Sequence, residues 1–133
     1  MTNANRRNGS LEALTRLYRA SGRYRELVEL YGRAVDRASD DTTAIAYLFE
    51  IGACHESLLL DPVQALATYR RILEREPGNL RALHALQRAA AEAGRHADLV
   101  LALDREIALT ADAMRRVTLM HQAAEVVALA LGD

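Results

Sequence analysis

Cys54, His55 and Glu56 stand side by side in a chain of 133 residues and are its nearest approach to a nucleophile beside a base. Thiol catalysis needs the imidazole within hydrogen-bond reach of sulfur and a third group orienting the ring. On a helix, consecutive side chains diverge by about 100°, so these three do not converge. His121 and Glu125 have the i, i+4 spacing of a helical metal site, and His84 falls at a comparable place one helical unit earlier. No His-Glu-x-x-His or Cys-x-x-Cys pattern reinforces them. There is also no glycine-rich phosphate loop. The chain is therefore expected not to be an enzyme, with no catalytic residue, no metal and no cofactor.

Charge points the same way. The formal net charge is −1, and acids and bases are interspersed, so nothing marks a polyanionic partner. All 17 basic side chains are arginine. Arginine suits bidentate contact with carboxylates, although GC-rich codon usage enriches Ala and Arg together and is the simpler explanation. No exposed aromatics are interleaved with the arginines for base stacking, so nucleic acid is not an expected partner. Cys54 is the only cysteine, which excludes an internal disulfide. The first ten residues lack the apolar core of a signal peptide, and the longest charge-free apolar run, Val126 to Leu131, is too short to span a bilayer. These features lead us to expect a cytoplasmic chain with no membrane partner.

The apolar half of the composition is mainly Ala and Leu, and proline occurs only at Pro62 and Pro77. That mixture favours long helices. Met1 to Gly9 is aperiodic and is expected to be a disordered tail. Ser10 is read as the N-cap of a first helix, about Leu11 to Ser21, stopped by Gly22. A second helix spans about Tyr24 to Ala38. The Ser39–Thr42 cluster starts a third, reaching Leu59. Asp61-Pro62 starts a fourth, ending at Glu76. Pro77-Gly78-Asn79 precedes a fifth, about Leu80 to Ala93, closed by Gly94. The sixth covers His96 to Leu109 and the seventh reaches Leu131. No strand pattern is present.

Sliding the sequence along itself by 72 positions matches Leu11–Asp61 to Leu83–Asp133 without a gap. Gly22-Arg23 meets Gly94-Arg95, Leu27-Val28 meets Leu99-Val100, and Asp40 meets Asp112. Two units of about 36 residues have the length of helical hairpin repeats. In the middle unit Ile51-Gly52, His55, Ala65, Tyr69 and Pro77 follow the order of small, aromatic and proline positions found in tetratricopeptide repeats. Leu14 with Tyr18, Leu27 and Tyr31 do so in the first unit, and Leu86, Ala90, Leu99 and Leu103 in the third. On these residues the chain resembles the tetratricopeptide family, in the style of large bacterial proteins built from such arrays.

The resemblance implies an all-α, right-handed superhelix of about three hairpins plus a C-terminal helix. Its repeats would be 10–40, 41–78 and 79–110, with 111–133 as a capping or half repeat. Large Leu27 and Leu99, standing where the family has a small residue, imply hairpins looser or more splayed than the family pattern. The family's habit of binding peptides or helices on its concave face implies a protein-interaction scaffold. It places Glu12, Arg16 and Arg19, then Phe49, Glu50 and Glu56, then Arg81, His84 and Arg88, then His121, Gln122 and Glu125 on that groove. Glu12 and Glu50 stand where a clamp for a terminal carboxylate would need donors.

The seventh helix lacks the partner that its counterpart has, because the counterpart continues through Asp61-Pro62 into a new helix. It is expected to cap the third hairpin. The alternative is a structural or self-associating module, or part of a longer array, using Leu119, Val127 and Leu131.

Overall fold

Four of the helices begin where a side-chain oxygen accepts from an orphan backbone N–H. In the computed structural model, which describes residues 3–132, Asp40 accepts from Thr43 N at 2.7 Å, Asp61 from Gln64 N at 3.1 Å, Asn79 from Ala82 N at 2.9 Å and Asp112 from Arg115 N at 3.3 Å. Such caps each contribute about 1 kcal/mol. Seven helices result among the described residues: α1 Asn3–Ala20, α2 Tyr24–Arg37, α3 Asp41–Ser57, α4 Pro62–Arg75, α5 Leu80–Ala93, α6 His96–Leu109 and α7 Ala113–Ala130. Two of the stops are left-handed glycines, Gly22 at φ 72° and Gly94 at φ 68°, which are the pair the internal repeat superposes.

One expected boundary is wrong. Ser10 does not cap a helix, and the supposed tail is helical from Asn3 onward; Met1 and Thr2 lie outside the described residues. Extending a helix already nucleated costs far less than starting one, and nothing between Asn3 and Ser10 is a proline. Asp133, the last residue of the repeat match, also lies outside the described residues.

Every helix packs against the next one in the sequence, so the molecule is a chain of antiparallel neighbours rather than a bundle around one axis. One apolar core runs through it, from Leu27, Tyr31 and Val35 through Leu48, Ile51, Leu66, Ile72, Leu83 and Leu86 to Ala102. Fully burying such a Leu or Ile side chain stabilises by about 1.5–3 kcal/mol.

The middle hairpin, α3 with α4, is the most closely packed, and the hairpins carrying Leu27 and Leu99 are less so. The reason lies at Gly52. A Cβ there would come within 2.3 to 2.9 Å of the Tyr69 ring, so the absence of a side chain lets the aromatic lie directly on the α3 backbone. Leu27, buried completely, holds its neighbour further off.

Candidate partner-binding face

The alternate helices α1, α3 and α5 share a face on which the groove residues were expected, and their charged side chains meet across it. Arg19 of α1 reaches Glu50 of α3 at 3.7 Å. Arg88 of α5 grips Glu56 of α3 in a two-pronged bond, Nε to Oε2 and Nη2 to Oε1, each 2.8 Å. The Tyr69 hydroxyl of α4 donates to the same carboxylate. Arg88 and then Tyr69 hold the Glu56 carboxyl below the usual carboxylate range, against the opposing effect of burial. Burial and that hydrogen bond together push the Tyr69 hydroxyl well above the ordinary phenol range.

These bonds pair Arg19 and Arg88 within the chain. Glu50 and Glu56 of the helix between them supply the neutralising carboxylates. Glu12 and Arg16 form only an exposed i, i+4 pair at 3.9 Å on α1, a contact worth a few tenths of a kcal/mol.

Phe49 and Arg81 behave differently. Phe49 is half-buried against the core, its ring centroid 6.3 Å from that of Tyr69. The guanidinium carbon of Arg81 lies 4.1 Å from the centre of the Phe49 ring, within range of a cation–π attraction of about 0.5–1 kcal/mol at an exposed site. Among the described residues no carboxylate lies within ion-pair distance of Arg81. Phe49 is thus both core and surface, and the exposed Arg81 stacks on it.

At the junction of α5, α6 and α7 a residue missed in the sequence organises the site. Glu106 is 5% exposed. It lies 3.0 Å from His84 Nε2, accepts from Gln87 Nε2 at 2.8 Å and sits 3.5 Å from Arg115. Burial pushes its carboxyl up, but the bonds from Gln87 and His84 and the charge of Arg115 outweigh it and leave it below the usual range. His84 is therefore occupied by Glu106 rather than by a shared site with His121. The only sequence signal was an acid on the otherwise apolar inner stripe of α6. His121, Gln122 and Glu125 are exposed on α7, and among the described residues no hydrogen bond or ion pair joins them to α5.

Cys54 is 1% exposed, and burial raises its thiol above the ordinary value. His55 Nδ1 is buried with no hydrogen-bond partner, and burial lowers its imidazole. Both act as packing residues at positions where adjacent side chains diverge. Among the described residues no group of three His, Cys, Asp or Glu side chains is placed to hold a metal ion, and no helix is long and apolar enough to cross a membrane.

The self-association residues divide. Leu119 is fully buried within the chain, while Val127 is 44% and Leu131 76% exposed. Leu119 follows Tyr47 by 72 positions, and Tyr47 faces Tyr31 of α2, so Leu119 occupies the side of α7 that packs on the preceding helix.

No curated protein matches the sequence. The family model for the tetratricopeptide repeat matches residues 10–45, which cover α1 from Ser10, all of α2 and the start of α3. Such repeats are generally protein–protein interaction modules and typically non-enzymatic scaffolds. The matched segment is similar to a tetratricopeptide repeat, and the described chain continues beyond it entirely as helices.

Proposed function

We propose that this chain is a cytoplasmic interaction scaffold that holds a peptide or helix of a partner protein on the concave face formed by α1, α3 and α5. The observation that carries the reading is the Arg81 guanidinium stacked on Phe49, a cation without a carboxylate among the described residues. An aromatic shelf supporting a positioned arginine suits a segment that presents an apolar side chain next to an acidic one. Because Glu50 and Glu56 already neutralise Arg19 and Arg88, a densely acidic segment gains little there. Mixed apolar and singly acidic segments suit it better. Arg16, exposed on α1, extends the same face.

The test uses a panel of synthetic peptides, singly acidic, densely acidic and neutral, titrated against the full chain. Singly acidic apolar peptides should bind best, and Arg81→Glu or Phe49→Ala should weaken them about tenfold. Arg71→Glu on α4 should leave binding unchanged. Equal binding by the Arg81→Glu chain would remove this face from consideration. Arg88 is a poor probe, because Arg88→Glu also sets two carboxylates against each other at Glu56. A second reading, self-association through α7, is favoured by the exposure of Val127 and Leu131.

A further inference from the structure

We propose that α7 pairs with α7 of a second copy, antiparallel, along a seam of Ala113, Val117, Met120, Ala124, Val127 and Leu131. The proposal rests on the self-association reading and specifies its surface, its geometry and its register.

The six residues are spaced alternately four and three apart, the a/d repeat that keeps one stripe of a helix facing a partner helix. Every one of them is exposed, with Val117 at 51%, Met120 at 50%, Val127 at 44% and Leu131 at 76%. None is charged. Leu119, which is buried, lies off this stripe on the side toward α6, so the seam is distinct from the surface that holds α7 in its own chain.

Within the repeat the seam corresponds to Asp41, Ile45, Leu48, Gly52, His55 and Leu59. This is the side of α3 that receives α4: Asp41 bonds Arg75 at 2.8 Å, and Gly52 lies under Tyr69. In α7 the features specific to that contact are gone. Ala113 replaces the ion-pairing Asp41, Ala124 puts a methyl where Tyr69 leaves no room for a Cβ, and Val127 replaces His55. A helix like α4 therefore no longer fits, whereas a regular apolar seam has appeared.

That seam is complementary to itself. In an antiparallel pair related by a two-fold axis near Gln122, Ala113 faces Leu131, Val117 faces Val127 and Met120 faces Ala124. Each layer combines a small residue with a large one or two of middle size, so all layers have similar volume. A parallel pair would set Met120 on Met120 and Ala124 on Ala124, crowding one layer and emptying the next. Antiparallel pairing also separates the two Arg116 side chains beside the seam by roughly 18 Å along the axis, beyond the screening length in physiological salt. A closed two-fold dimer is the commonest symmetric assembly. The seam is short, so the association is expected in the micromolar range.

Sedimentation of the full chain from micromolar to several hundred micromolar decides the matter. The natural chain should pass from monomer to dimer. Val117→Glu and Val127→Lys should each shift dissociation at least tenfold, with helical circular dichroism unchanged because both positions are exposed. The double variant V117E/V127K should dimerise again, because position 117 faces position 127 only in the antiparallel register. A chain monomeric throughout, or a swap that fails to restore the dimer, would overturn the proposal. Association that survives both single variants would overturn this seam while leaving self-association through another surface in place.

Discussion

Helices α3 and α7 carry corresponding stretches of an internal repeat and meet different fates. α3 is covered on both sides, by α2 through Tyr47 and by α4 through Gly52, Phe49 and Glu56. α7 is covered on one side by α6, through Leu119, and its other side is exposed within the chain. The difference shows what a repeat specifies: the facing of a helix toward its predecessor is kept, while the side toward a successor is free to change.

Truncations at corresponding positions sharpen that contrast most. Leu48→Ala in α3 and Leu119→Ala in α7 should each cost about 2–5 kcal/mol, as for other fully buried leucines. Met120→Ala, the counterpart of Leu48→Ala, should cost less than about 1 kcal/mol in the monomer. Chemical unfolding below the dimerisation range measures all three, and equal losses at Leu48 and Met120 would break the comparison.

Exchanging the small residues comes next. Gly52→Ala forces the Tyr69 ring away and strains its bond to Glu56, a cost of about 1–3 kcal/mol that the better helix propensity of Ala offsets only in part. The reciprocal Ala124→Gly meets no neighbour and should cost only the helix term, about 1 kcal/mol. Thermal unfolding of both variants checks the order.

Glu106→Ala should cost about 2 kcal/mol, because Gln87, His84 and Arg115 lose a buried acceptor, moderated by the half-exposure of His84 and Arg115. Amide exchange should quicken in α7 and change little in α3. Such exchange resolves the two helices separately.

The smallest effect is a pH dependence at His55. Burial lowers its imidazole in the folded chain, so between that value and the unfolded value of about 6.5 only the unfolded chain takes up the proton. Stability is then full above pH of about 6.5 and falls as the solution is acidified through that window. His55→Tyr should flatten the slope there, while the contribution of Glu106 is lost only at lower pH, below the usual carboxylate range. Unfolding followed from pH 7.5 to 5 in both chains reads the difference.

Much of the architecture was legible before any coordinates, because its signals are local. Asp61-Pro62, Asn79, Asp112 and the two terminating glycines act on backbone groups within four residues of themselves, and the 3.6-residue stripes name the inner side of each helix. The start of α1 was misread for the complementary reason: a helix persists through indifferent residues once packing further along has nucleated it. The partners of Arg19 and Arg88 were not legible, since Glu50 and Glu56 lie more than thirty residues away in each case and reach them only through the stacking of hairpins.

By itself, the order of amino acids determined seven helices, four of their caps and the repeat of 72 residues, because capping and periodicity need no distant contact. Which charges were already satisfied, why Glu106 is tolerated inside and which side of α7 faces water were decided by the tertiary structure. Those depend on the distance and rotation between neighbouring helices, set by contacts such as Tyr69 lying against Gly52.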